Sequence, residues 1–256
     1  MPVSFRTDIL SMYNVRSLGT AVRTLYASMA KLSSGLAINV AADNPAGLVI
    51  SEQFRARIAS LNRQIENVSN TINKYRAVSG TVDSMRSRLV ELRSLAVGAA
   101  NEAGNSDEAQ QAYSQAAEHI IESYNDTVAS AEYNGMRMLD GSEGSLAAVA
   151  PLEGIDLSTP LNSAESLEKI DAAMRELDRV QIDLGATQKN DLESQLSSLL
   201  VRRESLTAAE SQIRDLDYAT EYSNFVGSMI RSQVNLALMS HTAKIANGLL
   251  RLMAGT

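Results

Sequence analysis

Cysteine is absent from the 256 residues, and so is tryptophan. No disulfide framework, thiolate ligand or cysteine nucleophile is therefore available, which fits a reducing compartment or an exported protein that never relied on disulfides. Aromatic residues make up 4% of the chain against 45% hydrophobic, so apolar surface is buried mainly as aliphatic seams. No apolar run reaches the length of about 18 residues that a membrane-spanning helix needs, and no membrane insertion is expected. The opening MPVSFRTDIL lacks a basic stretch followed by an apolar core. No cleaved secretory signal is expected, and an extracellular destination would require another export route. A basic surplus is missing too: the net charge is −7 and the pI about 5.0. Arg86, Arg88 and Arg93 surround Glu91 as on a solvated helix face. The charge pattern argues against a nucleic-acid partner.

Chemistry is equally scarce. Of the two histidines, His119 has Glu118 and Glu122 nearby but no second His or Cys at ligand spacing. His241 falls on a seam position, where it reads as a packed imidazole. No glycine precedes a Gly-Lys-Ser or Gly-Lys-Thr phosphate loop. Tyr218 and Glu221 in DLDYATE read as a turn or an interface contact. No enzyme, cofactor or metal site is expected.

Proline occurs four times, at 2, 45, 151 and 160, which leaves 46–150 and 161–256 free of the strongest helix breaker. Periodicity fills both intervals. Phe54, Ile58, Leu61, Ile65, Val68, Ile72, Tyr75, Val78, Val82, Met85, Leu89 and Leu92 step 4-3-4-3-4-3-3-4-3-4-3. The mean of about 3.5 is the period of a coiled-coil seam, with a local break at Tyr75–Val78. The spacing predicts a helix over about 45–101, ended by Gly104 and Asn105, and a second one capped by Ser106. The N-terminal segment carries Val15, Leu18, Val22, Leu25, Met29 and Leu32 in 3-4 steps. The last interval, with Asn162 or Ser163 as cap, runs through Ile170, Leu177, Val180, Leu184, Leu192, Leu196, Leu199, Leu206 and Ile213. Its seam resumes at Tyr222, Val226, Ile230, Val234, Leu238, Ile245, Leu249 and Leu252. Both chain ends are thus amphipathic helices that invite packing on each other.

Only 133–163 reads otherwise. EYNGMRMLDG holds an Asn-Gly and an Asp-Gly turn, and short apolar runs follow up to Pro160. A small β-hairpin region is predicted there. The fold class expected is all-α dominated: a long antiparallel helical rod, a coiled-coil-like bundle, with a β-hairpin region at its mid-chain tip.

The stretch KLSSGLAINVAADNPAGLVISE, 31–52, interrupts this helical grammar. Gly35 can end the first helix in the left-handed conformation. Leu36, Ile38 and Val40 alternate as in an extended segment that buries one edge. Asn44 is barred from helical geometry by Pro45, yet caps the helix that Pro45 begins. The stretch is a joint between two helical sections.

These residues carry a likeness. KLSSGLAIN at 31–39, AADNPAGLVISEQFRARI at 41–58, LRSLAVGAAN at 92–101, YNGMRMLDG at 133–141, SLEKIDAAM at 166–174, DLGATQKN at 183–190 and IRDLDYATE at 213–221 follow one family in order. The chain resembles bacterial flagellin. The resemblance implies a structural subunit that self-assembles into the tubular flagellar filament, outside the cell. It further implies an inner terminal domain of residues 1–44 and 219–256, and a core domain of 45–218 with its hairpin region at about 133–161. Outer domains are expected to be missing, since only about 20 residues separate Gly141 from Asn162. Leu18, Val22, Leu25, Leu32, Ile230, Val234, Leu238, Ile245, Leu249 and Leu252 would make the packing between terminal helices and between subunits. Gly35, Ile38, Asn44, Pro45 and Gly47 would form the spoke joint. An export chaperone, a filament cap and hook–filament junction proteins are implied as partners, besides other copies of the chain.

Two departures stand out. Where the family reads Gln-Arg-hydrophobic-Arg-Glu-Leu, a segment used by the vertebrate Toll-like receptor that senses flagellin, this chain reads VELRSL. Arg93 and Leu95 match; Glu91 replaces an Arg and Ser94 a Glu, so weakened recognition is expected. Near the C-terminus HTAKI, 241–245, stands where relatives carry Ala-Asn-Gln and then a Pro, with His241 and Lys244 candidates to face the filament lumen. The alternatives are a hook–filament junction protein, against which DLDYATE argues, and a cytoplasmic coiled-coil adaptor forming closed dimers.

Overall fold

The computed structural model of the chain describes the backbone of residues 2–102 and 104–254, and the side chains of residues 9, 12–102 and 104–245. Its described elements follow the apolar steps. They are α1 (Pro2–Ser34), α2 (Pro45–Ala99), α3 (Asp107–Ser130), β1 (Glu132–Tyr133), β2 (Met136–Arg137), α4 (Pro160–Ala186), α5 (Glu193–Arg214) and α6 (Tyr218–Ala254). A π-helical turn, Thr187–Leu192, joins α4 to α5. The all-α-dominated fold is the one observed. The chain divides into two compact units, one of residues 1–60 with 203–256 and one of 61–202, so the boundary falls inside α2 and α5.

The second unit is built on α2. Val82, Met85, Leu89, Leu92 and Ala96, one seam by their spacing, are completely shielded from solvent. Tyr124 of α3 and Ile170, Leu177 and Leu184 of α4 close over them. Burial pushes the Tyr124 phenol up to about 12, with the nearby Glu176 adding to the effect. Arg86 and Arg93 lie seven apart on α2 and meet Asp178 and Asp171, seven apart on α4, at 2.8 and 2.7 Å. These pairs set α2 and α4 antiparallel with matching heptads. Both are half-exposed, so they fix register more than they stabilise.

The helix ends are closed by side chains. Asn105 donates to the carbonyls of Gly98 and Ala99 in the last turn of α2, where the Asn101 N–H also reaches Gly98. Ser106 caps α3 by accepting from the Ala109 N–H at 3.3 Å. The cap of α4 is Thr159 rather than Asn162 or Ser163. Pro160 explains the difference: its fixed φ suits the first helical position, which leaves the preceding Thr159 to accept from the Asn162 N–H at 3.2 Å. Ser163 instead donates back to the Thr159 carbonyl at 2.7 Å.

The hairpin forms as the Asn-Gly pair requires. Asn134 and Gly135 have φ of 53° and 75°, the left-handed pair that a two-residue turn matched to strand twist needs. Tyr133 pairs with Met136 and Glu132 with Arg137. Beyond it Asp140 and Ala148 form an isolated bridge, flanked by backbone hydrogen bonds from Leu146 to Met138 and from Val149 to Leu139. Gly141, Gly144 and Gly154 all take positive φ and break any longer ladder. The rest of this segment is irregular chain whose Leu139, Leu152 and Leu157 enter the core. Asn125 fixes it by exchanging two hydrogen bonds with the backbone of Leu152, at 2.8 and 3.2 Å.

Leu89 fills the centre of this core, so Leu89→Ala leaves a cavity and is expected to lower unfolding stability by about 2–5 kcal/mol. A urea denaturation series followed by circular dichroism checks it; a loss of a few tenths would mean the site collapses freely.

Candidate functional site

The first unit is constructed on different terms. Among its described residues, Ala21 and Ile38 are the buried apolar side chains. Its order comes from caps, backbone pairing and one close helix contact.

The joint begins at Gly35. Its φ of +72° ends α1 while its N–H still donates to the Lys31 carbonyl at 2.8 Å. Its backbone geometry favours glycine, and a Cβ here would also displace the Tyr218 hydroxyl, which lies 2.8 Å from that position. The next residues pair with a segment far along the chain. The Leu216 N–H donates to the Gly35 carbonyl at 3.0 Å, and the Ala37 N–H to the Arg214 carbonyl at 2.8 Å. Leu36 and Asp215 thus form an isolated antiparallel bridge.

The extended run is shorter than Leu36, Ile38 and Val40 suggest: Ile38 is buried, but Val40 is exposed. Asp43 turns the chain there, accepting from the Asn39 and Val40 N–H groups at 3.0 Å each. Those backbone donors, Val40 first, hold its carboxyl below the usual carboxylate range, helped by Lys31. Asn44 then caps α2 by accepting from the Gly47 N–H at 2.9 Å, with Pro45 opening the helix. Gly47 is dictated by crowding alone: a Cβ would sit 2.8 Å from Ile38 Cδ1 and 2.7 Å from Asn44 Nδ2.

One turn on, Glu52 Oε1 accepts from Arg214 at 2.7 Å and from Arg55 at 2.9 Å. The two guanidiniums, Arg214 first, hold the Glu52 carboxyl low. Asp217 caps α6 through the N–H groups of Ala219 and Thr220 and the Thr220 hydroxyl. The Thr220 hydroxyl and then its N–H lower the Asp217 carboxyl.

The terminal helices α1 and α6 pack side by side. Asn14, Ala21 and Ser28 are buried on α1 at seven-residue spacing, and Ser228 on α6. Asn235 donates to the Ser17 hydroxyl across the pair at 3.1 Å. On α6 the buried side is polar and small, and its large aliphatics are left exposed. Leu18, Val22, Leu25 and Leu32 are half-buried. Ile230, Val234 and Leu238 remain 52%, 49% and 47% exposed, and Ile245 resembles them. The side chains of Leu249 and Leu252 lie outside the described residues. His241 and Lys244 are exposed.

In the segment of α2 that departs from the family pattern, Glu91 and Ser94 are exposed, and Leu95 packs partly against the core. Arg93 is engaged by Asp171. No cluster of three metal-binding side chains exists among the described residues, and no described helix is long and apolar enough to cross a membrane. Hydrophobic periodicity overlooks the Asn14–Ala21–Ser28 seam because those residues are polar or small; their seven-residue spacing is the signal that would find it. The docking of 214–216 onto 35–37 has no local signal.

Comparison with known proteins matches residues 5–144 to the bacterial flagellin N-terminal helical region and 167–253 to the bacterial flagellin C-terminal helical region. The flagellin of Halalkalibacterium halodurans is 29% identical, over 93% of this chain and 95% of that protein. Flagellin FlaB1 of Treponema pallidum is 26% identical over 96% and 98%, and the flagellin of Bacillus subtilis 28% identical over 88% and 91%.

Asp43, Glu52 and Asp217 each have a folded-state pKa below the unfolded value, so their contribution is fully present above the ordinary carboxylate pKa of about 4 and lost as pH falls through the folded values. Asp43→Asn keeps an acceptor but removes one titration. Urea unfolding at pH 7, 5, 4 and 3 should therefore show the variant losing less stability on acidification than the parent. Equal losses would contradict the assignment. Gly47→Ala, by contrast, should cost about 1–3 kcal/mol at every pH through overpacking against Ile38.

Proposed function

The chain belongs to the bacterial flagellin family, and from that premise we propose how its two termini serve the filament. The protein is a structural subunit of a flagellar filament and polymerises with copies of itself. The observation that carries our reading is the terminal helix pair: α6 turns Ser228 and Asn235 toward α1 and leaves Ile230, Val234, Leu238 and Ile245 about half-exposed. Apolar stripes on a unit with almost no buried core of its own call for cover from outside the chain. Identical copies joined through different patches, without closing a ring, grow as a helix.

On this reading residues 1–44 and 219–256 form the inner domain that lines the channel, and 45–218 the core domain around it, with no outer domain. Gly35, Ile38, Asn44, Pro45 and Gly47 are the spoke between them. The seam residues Leu18, Val22, Leu25, Leu32, Leu249 and Leu252 pack the inner domain and its neighbours. His241 and Lys244 face the lumen or a neighbouring copy. The role is mechanical rather than catalytic. Delivery outside the cell runs through flagellar export, with an export chaperone, a filament cap and hook–filament junction proteins as partners. Recognition by the flagellin-sensing receptor is weakened, because the exposed Glu91 places a negative charge where the family carries a positive one.

Negative-stain electron microscopy after seeding or salting out tests the assembly reading. Full-length protein should give tubular filaments. Removal of 1–35 or 222–256 should abolish them, as should Ile230→Asp with Val234→Asp, while helical content of the doubly substituted chain persists. A full-length protein that stays a soluble dimer under all conditions contradicts it. In a receptor-reporter assay with monomer, Glu91→Arg should raise a weak signal; strong signalling by the unaltered protein would sink the receptor reading.

A further inference from the structure

The seam of the second unit is discontinuous at one level on both helices that form it. On α2 the apolar steps shorten from seven residues to six across Ile72, Tyr75 and Val78. On the opposite side they lengthen to eight between Leu184 and Leu192. The π-helical turn Thr187–Leu192 takes up that extra residue, so that Leu192, Leu196 and Leu199 return to face α2. The apolar core divides at the same level. The large cluster ends at Val78 and Leu184, and a small one of Val68, Ile72 and Leu199 begins beyond it. Gln181 adds an independent mark. Its Nε2 donates to the Ser79 hydroxyl at 2.8 Å, while its buried Oε1 has no partner among the described residues. An unmade hydrogen bond on a buried amide oxygen is a local deficit.

We propose that this level is a register switch in the helix pair. The α4–α5 helix has the π form seen here and an α form from which the π turn has gone. Losing the turn rotates the chain beyond it by about 100° and advances it by about 1.5 Å. Leu192, Leu196 and Leu199 then leave Val68 and Ile72, so the small cluster is the latch that holds the π form. Its three buried residues oppose the slip, whereas the large cluster anchors everything on the other side. On the solvent side, Gln188 and Lys189 both reach the Glu193 carboxylate, at 3.3 and 3.1 Å, and span the turn that would be lost. Every residue that defines the switch lies within residues 61–202, and a slip relayed to the end of α5 would also strain the Arg214–Glu52 pair.

Amide hydrogen exchange of the full-length monomer tests it. Amides of 187–196 should exchange about 10-fold or more faster than those of 170–184, because the switch opens them without unfolding α4. Leu199→Ala should accelerate 187–196 by about a further 10-fold and leave 170–184 unchanged. Deleting Gln188 restores a seven-residue step between the flanking leucines, and should give an uninterrupted α-helix whose 187–196 segment exchanges as slowly as 170–184. Uniform exchange across 170–200 in the parent overturns the switch. So does a Gln188 deletion that unfolds the protein or leaves the segment fast, since the seven-residue form must be a folded alternative.

Discussion

The contact between α1 and α6, two helices from opposite ends of the chain, is where Asn14, Ala21, Ser28 and Ser228 are buried. The first unit depends on this contact. On α1 the half-buried Leu18, Leu25 and Leu32 alternate with Asn14, Ala21 and Ser28, whereas on α6 the buried side falls on Ser228 and Asn235, so that Ile230 and Val234 stay half-exposed. A pair of helices built the opposite way, with leucines facing each other as in an ordinary two-stranded coiled coil, would bury its own apolar surface and have little left to offer a neighbour. Here the polar buried side of α6 keeps its aliphatic seam available, and a structural subunit of a polymer is the kind of protein for which that arrangement makes physical sense.

The two units are ordered by different forces. In 61–202 the side chains of α2, α3, α4 and the irregular segment after the hairpin interlock around Met85, Leu89 and Leu92, and burial of aliphatic area dominates. In the other unit directional bonds do most of the ordering. Asn44 and Asp217 cap two helices, Asp43 closes a turn, and residues 35–37 pair with 214–216. Glu52 ties α2 to α5 through Arg214, whose guanidinium is mostly covered while its partner is not. Directional bonds of this kind fix geometry strongly and contribute modest net stability each, so this part of the chain has a defined shape without a large core.

Much of this was legible in the residues. The heptad steps locate α2 and α6, Ser106 and Asn44 cap as their side chains allow, and Asn134–Gly135 make the turn they are suited to. Local chemistry decides those features, which is why they can be read locally. The cap of α4 is Thr159 because Pro160 determines the register, a point that the competing Asn162 and Ser163 obscure. Pairing of Leu36 with Asp215 depends on a contact across most of the chain, and no short window contains it. The small-residue seam escaped a search for hydrophobic periodicity because Asn and Ser count as polar wherever they lie. The π turn was written as an eight-residue step from Leu184 to Leu192, an irregularity that only packing against α2 explains. Gly47 carries no local signal of the crowding by Ile38 and Asn44 that a side chain there would meet.

A helical reconstruction of filaments grown from the full-length protein tests the central claim most directly, by showing what covers the flanks of the terminal helix pair. The account predicts that Ile230, Val234 and Leu238 are covered by a neighbouring copy while Asn14, Ala21 and Ser28 stay against the chain's own α6. A map in which those three aliphatics face open channel, or in which the chain's own α1 has turned to cover them, would contradict it.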